Sequence, residues 1–194
     1  LRPSEQIQSI SIISNKVIEE QGNMTITDAV RNVVGVTQFA SFGNAQESLS
    51  TRGYRGIPTL KNGVRVQSDF RGGGFLTDMQ GVESIQVLKG TAAITQGIGN
   101  DLGSAGGVIN IATKTPKFVN AGEVSLRSGS WGQFRPTFDV QTVLDKEQAI
   151  GFRINGAFER ADNYRVNVSK DRIYVNPSFA WKPNKKTSVT VEMD

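Results

Sequence analysis

The 194-residue chain contains no cysteine and no histidine. It therefore has no thiolate nucleophile, no imidazole base and no soft metal ligand, which excludes most hydrolase triads and zinc sites and puts enzymatic readings far behind. No apolar run approaches the roughly 18 residues that a membrane-spanning helix needs. The opening Leu1-Arg2-Pro3-Ser4-Glu5 does not have the form of a signal peptide. Missing cysteine fits either a cytosolic protein or a bacterial envelope protein that does without disulfides. Charge of one sign is also never concentrated. The 22 Lys and Arg are scattered among 18 Asp and Glu, with no basic run longer than Lys185-Lys186, so the net charge of +4 predicts no nucleic-acid partner.

Glycine, in contrast, is plentiful: 21 residues, about one in nine, against a usual share of ~7%. The length allows one or two domains with a real core, and the pattern changes near Pro116. Before it, helix and strand signals are mixed. Ser9 to Ile13 reads as a strand, Asn15 as the cap of a short helix that Gly22 ends, and Thr27 as the cap of a second helix, Asp28 to Val34, that Gly35 ends. Short β segments follow at Leu49 to Arg52, Val64 to Gln67, Ile85 to Leu88 and Val108 to Ala112. Asn62-Gly63 predicts a hairpin turn, because both residues tolerate positive φ. The first 116 residues read as a compact α+β unit.

After Pro116 the chain alternates almost strictly. From Gln133 to Thr142, Phe134, Pro136, Phe138 and Val140 share one face, while Arg135, Thr137, Asp139 and Gln141 share the other. Ile150, Phe152, Ile154 and Phe158 oppose Arg153, Asn155 and Glu159 in the same way, and Ile173, Val175, Phe179 and Trp181 oppose Tyr174, Asn176 and Ser178. With Val124 and Leu126 before them and Val189, Val191 and Met193 after, about five strands are predicted, each near the length of a membrane β-strand. Gly129-Ser130-Trp131-Gly132 and Asp145 to Gln148 read as tight turns, Ala161 to Asp171 as a longer polar loop, and Lys182 to Lys186 as the last turn. These strands alone fit two architectures. One is half of a soluble β-sandwich whose apolar face meets a second sheet; the other is the wall of an outer-membrane barrel, with wet polar rows inside and Trp181 at a strand end where an aromatic girdle belongs.

Several segments stand in a suggestive order: Asp28-Ala29-Val30-Arg31-Asn32-Val33-Val34-Gly35-Val36, Ser50-Thr51-Arg52-Gly53-Tyr54, Asn62-Gly63-Val64-Arg65 and Val82-Glu83-Ser84-Ile85-Gln86-Val87-Leu88-Lys89-Gly90. Gly103-Ser104-Ala105-Gly106-Gly107-Val108-Ile109-Asn110-Ile111 and Thr113-Lys114-Thr115-Pro116 close the series. Together, at this spacing and followed at once by alternating strands, they resemble the plug domain of TonB-dependent outer-membrane receptors, most closely the siderophore-receptor branch. Thr91 stands where that family commonly has Pro, and Gln96-Gly97 where an aromatic-Gly pair is common. The resemblance implies an α+β plug domain over residues 1–116. Residues 117–194 would then form the first five or so antiparallel strands of a transmembrane β-barrel, truncated here. About five strands cannot close a plugged barrel of some 22, no TonB box is evident before Ile7 and no signalling domain is present. The expectation is thus an N-terminal portion of a longer receptor.

The function so implied is outer-membrane transport, not catalysis. A ferric siderophore or similar metal chelate would bind outside the cell and be imported with energy from TonB and its inner-membrane complex, the plug gating the barrel and facing the periplasm. Partners would be TonB, the chelate and outer-membrane lipid; no cofactor and no metal site of the chain's own is expected. Cobalamin, haem or an oligosaccharide remain alternative ligands, and a soluble glycan-binding sandwich an alternative module. In receptors of this kind the Arg-Gly-aromatic element lies near the upper loops of the plug. Arg52 is therefore the leading candidate ligand contact, with a fork of donors for an anionic chelate and Tyr54 as an aromatic face; equally, Arg52 could pair with a carboxylate of the wall. Arg55, Gln67, Ser68, Phe70, Arg71 and Gln96 complete the candidate pocket floor, with ordinary solvated loop as the other reading. Glu83 and Lys89 are assigned to plug–barrel locking. Gly72-Gly73-Gly74 and Gly97 to Gly103 do not make a nucleotide loop, because the latter has three residues before its last Gly and lacks the Lys-Ser/Thr of a P-loop.

Overall fold

A computed structural model describes residues 9–40, 48–55, 57–67, 77–90, 106–145, 147, 149–163, 169–184 and 186–193. The chain divides into two compact units, Leu1–Thr113 and Lys114–Asp194.

The first unit opens with β1 (Ser9–Ser14) and the helices α1 (Asn15–Glu20) and α2 (Ile26–Val30). Strands β2 (Val36–Ala40), β3 (Ser48–Thr51), β4 (Tyr54–Arg55), β5 (Thr59–Lys61), β6 (Val64–Gln67), β7 (Val82–Lys89) and β8 (Gly107–Thr113) follow, with a 3-10 turn at Met79–Gly81 before β7. Five strands form a mixed sheet in the order β1-β7-β8-β5-β6, in which β5 and β8 run parallel; β2-β3-β4 form a small antiparallel sheet. Alternation decides the faces. Ile85 and Val87 of β7 join Ile109 and Ile111 of β8 in one core with Ile18, Ile26 and Val30 of the helices, while Leu88 and Val108 pack with Leu60 in a second cluster.

Both helices start earlier than expected, α1 by one residue and α2 by two. The cap of α1 is Ser14, and Asn15 is its first helical residue, its Nδ2 donating to the Val82 carbonyl at 3.3 Å. Gly22 does end α1: at φ +63 it donates to Glu19, and Asn23 donates to Ile18 at 3.0 Å, a Schellman closure. In α2 the cap is Thr25 rather than Thr27. Its hydroxyl accepts from the Asp28 N–H at 3.0 Å, and the Asp28 carboxylate reaches back to the Met24 N–H at 3.4 Å, a reciprocal arrangement close to a capping box. α2 stops at Val30 because the following Asn32-Val33-Val34 holds weak helix formers; turns closed by Val33 N–H to Val30 and Val36 N–H to Val33 carry the chain on. The Asn62-Gly63 turn forms as expected, at φ +50 and +82.

The second unit is an antiparallel meander of β9 (Ala121–Ser128), β10 (Phe134–Val143), β11 (Ile150–Asp162), β12 (Ser169–Asn184) and β13 (Thr187–Glu192), each paired with its neighbours in sequence. The Asp145 carboxylate closes one turn by accepting from the N–H groups of Ala149 and Ile150 at 3.0 and 2.7 Å. Two expected loops are shorter than the composition suggests. The ladder of β11 and β12 continues to Asp162 opposite Ser169, and β12 runs on through Lys182 and Pro183 to Asn184. Backbone pairing extends past the alternating residues, because ladder bonds do not depend on side-chain polarity.

Burial in this sheet is inverted relative to a water-soluble one. Val124 is 80% and Ile173 77% exposed, whereas Glu159 is 2% exposed and Asn155 and Asn176 are fully buried. The outward face needs close packing even so. Phe138 pairs with Gly156, and a Cβ there would stand 2.7 Å from the Phe138 ring, so glycine leaves the ring room to lie across the strand.

Candidate functional site

Arg52 lies one residue beyond β3, in the turn between Thr51 and Tyr54. Arg52 and Gly53 adopt φ of +51 and +81, the left-handed pair of a type I′ turn. An arginine in that region carries backbone strain, and the Arg52 N–H is tied to the Gly35 carbonyl at 2.9 Å. The side chain then runs along two glycine turns. A Cβ at Gly35 would stand 3.9 Å from the Arg52 Cγ, and one at Gly90 3.1 Å from its Nη1. Gly90 in turn donates to the Gly106 carbonyl at 3.1 Å, and Lys89 pairs with Gly107. Gly107 has no substitute: at φ +122 any Cβ would overlap the Leu88 carbonyl.

The fold thus gathers Arg52, Lys89-Gly90 and Gly106-Gly107, which are distant in sequence, at one end of the first unit. Arg52 is exposed and Tyr54 51% exposed. Among the described residues the Arg52 guanidinium has no hydrogen-bond or salt-bridge partner, which leaves its donors available to an oxyanion. Glu83 and Lys89 are not brought together: they stand at opposite ends of β7, about 20 Å apart along an extended strand. Arg55 ends β4 and Gln67 ends β6. Ser68, Phe70, Arg71 and Gln96 lie outside the described residues, as do Gly72 to Gly74 and Gly97 to Gly103. A groove of about 380 Å³ between α2 and the β2–β3 hairpin is lined by Asp28, Arg31, Thr37, Gln38 and apolar neighbours. Among the described residues no three acidic side chains come together as a metal site would require.

The second unit holds a polar system of which only Lys114 belongs to the motif segments and none was a candidate site residue. Asp139 of β10 accepts two bonds from Arg153 of β11, Nε to Oδ1 and Nη2 to Oδ2, both at 2.8 Å. Its Oδ2 also receives Lys114 Nζ at 2.9 Å. This fork-to-carboxylate geometry is the stronger kind of ion pair. Two rows along the same face, Glu159 is held between Arg135 at 3.0 Å and Lys170 at 3.2 Å. Asn155, in register with Asp139 and Asn176, is buried with no partner for its amide among the described residues. The alternation predicted a polar face. Which residues pair across it depends on register, which neighbours in sequence do not reveal.

The sequence profile described as TonB-dependent receptor plug domain matches residues 2–108. Among curated proteins, the metal-pseudopaline receptor CntO of Pseudomonas aeruginosa is 29% identical over 96% of this chain and 26% of that protein. The ferrioxamine B receptor of Salmonella typhimurium is 28% identical over 94% of this chain and 26% of its own length. The solved structure of the ferripyoverdine receptor of the outer membrane of Pseudomonas aeruginosa, bound to ferripyoverdine, superposes with a TM-score of 0.86 at 25% identity, over 99% of this chain and 25% of that one. The chain spans about a quarter of the length of these relatives. They are receptors rather than enzymes.

Proposed function

The chain belongs to the TonB-dependent receptor plug domain family, and from that membership we propose that it forms the plug and first wall strands of an outer-membrane receptor for a ferric siderophore or related metal chelate. Residues 1–116 make up the plug, its last three residues, Lys114 to Pro116, being the connector that lies within the second compact unit, and residues 117–194 the first strands of the barrel. The chelate binds outside the cell, and TonB, energised from the inner membrane, draws on the periplasm-facing plug so that cargo passes unchanged.

The observation that carries this reading is the inverted burial of the five-stranded sheet. A sheet with Val124, Leu126, Ile173 and Val191 outward and Arg135, Arg153, Asn155 and Glu159 buried suits a wall between lipid and a polar lumen. Polar lumen contacts also suit a moving plug, because hydrogen bonds exchanged through water are remade cheaply, whereas an apolar seam must be pulled open.

Within the plug, Arg52 and Tyr54 are proposed as ligand contacts, the guanidinium for the anionic chelate and the ring for its apolar or aromatic parts. Arg55, Gln67, Ser68, Phe70, Arg71 and Gln96 are proposed as the rest of the pocket floor. Glu83 and Lys89 are proposed to lock the plug to the wall. The test uses the full-length receptor in cells deprived of their other iron receptors and given radio-iron complexes of hydroxamate, catecholate and mixed chelators. One chelate should bind with or without TonB and enter only with it. Uptake that survives loss of TonB, or binding of a glycan and of no chelate, would overturn the proposal.

A further inference from the structure

The polypeptide passes from the first unit to the second through two adjacent residues that are gripped separately. Thr113 is gripped in the first unit, where its N–H donates to Asn62 Oδ1 at 3.0 Å and its Oγ1 meets Asn62 Nδ2 at 2.7 Å. Lys114 is gripped in the second, where Nζ bonds Asp139 at 2.9 Å and its carbonyl accepts from Ser178 Oγ at 3.5 Å. The connector then stays on the sheet. Arg153 Nη1 donates to the Thr115 carbonyl at 2.9 Å, and the Lys117 N–H donates to Gln141 Oε1 at 3.1 Å. Gly151 makes room for it, since a Cβ there would stand 2.9 Å from Pro116 Cβ and 3.3 Å from the Phe118 ring. Lys182 Nζ lies 4.5 Å from the centroid of that ring.

The two grips differ in kind. The Asn62 catch is a neutral amide that water can replace bond for bond. The Lys114 grip is ionic, with side-chain exposures of 3% for Lys114 and 11% for Asp139, and opening it would strand buried charge. Its wall residues sit on β10, β11 and β12, none of them an edge of the sheet.

We propose that Lys114–Phe118 is a fixed post on the wall, positioned by Asp139, Arg153, Ser178 and Gly151. Displacement of the first unit therefore ends at the Thr113–Lys114 peptide, and the Asn62–Thr113 pair is the catch that opens. The inference rests on the reading that the first unit is a plug drawn by a partner. The mechanical test needs no ligand, so loss of chelate uptake and failure of the post are separate outcomes.

These 194 residues contain no cysteine, and any cysteine elsewhere in the receptor is replaced by serine so that the engineered thiols are the only ones. The full-length receptor, held in a bilayer, is pulled through a cysteine at Ser9 by a force probe. The released length should correspond to Ser9 through Thr113, on the order of 35 nm at ~3.4 Å per residue. Oxidising a Pro116→Cys/Gly151→Cys pair should change neither this length nor the force of the last event. Asn62→Ala should lower that force at constant length, and the triple variant Lys114→Met/Arg153→Leu/Gln141→Ala, which removes the side-chain bonds holding the connector, should lengthen the final step by roughly 2 nm, the reach of the freed connector. A released length shortened, or a last force raised, by the oxidised pair would overturn the proposal. So would a final step unchanged in the triple variant, an arm that decides the matter even if the disulfide does not close.

Discussion

In β8 of the first unit, Ile109 and Ile111 are fully buried, whereas in β12 of the second Ile173 is 77% exposed and Asn176 is fully buried. Both are two-faced strands in five-stranded sheets, and the same alternation serves opposite ends. Turning large apolar side chains outward is unfavourable in water by about 25 cal/mol for each Å². A whole face of them, in strands held by continuous ladders, calls for a cover that excludes water, which on the proposed function is lipid, and the charge on the opposite face then has to be paired. The first unit supplies the contrast: the ion pair Lys16–Glu20 on α1 is a loose surface contact at 3.7 Å, with side chains 81% and 64% exposed.

That contrast is open to direct attack, all in the intact receptor by calorimetric or denaturant unfolding. The largest effect is expected from Asp139→Asn, which removes the carboxylate that Lys114 and Arg153 share in a buried setting and should cost about 3–5 kcal/mol. Glu20→Gln in the first unit should change stability by less than about 0.5 kcal/mol. Similar values for the two would show that the charged face is not a sealed interior. Next comes Phe138→Arg, which places a charge on the outward face and should cost about 2–4 kcal/mol and reduce membrane insertion if that face meets lipid; unaltered insertion would reverse the assignment. The smallest is Thr25→Ala, expected to cost about 1 kcal/mol through loss of the α2 cap. If Thr27→Ala proved the costlier substitution, the cap would belong where the sequence first suggested.

Much of the fold was legible because its signals are local. The period of two from Gln133 to Thr142, the Asn62-Gly63 turn and the Gly22 helix stop each depend on residues within a few positions of one another. Errors arose where two local signals competed. Thr25 and Thr27 both precede Asp28, and only the former places its hydroxyl on the Asp28 N–H. Arg52 read as the end of a strand, yet Gly53 after it turns the pair into a hairpin tip and lays the guanidinium beside Gly90. The candidate contacts near Arg52 were found by family motif rather than by geometry, and of the Asp139 cluster only Lys114 lies in a motif.

The sequence by itself determined two regimes of patterning, the turns between strands and the face on which each side chain stands, since backbone stereochemistry converts spacing directly into direction. Only the tertiary structure decided which charges meet. Lys114 with Asp139 and Arg135 with Glu159 are 25 and 24 residues apart, and a slip of register by two residues would keep every face unchanged while breaking every pair.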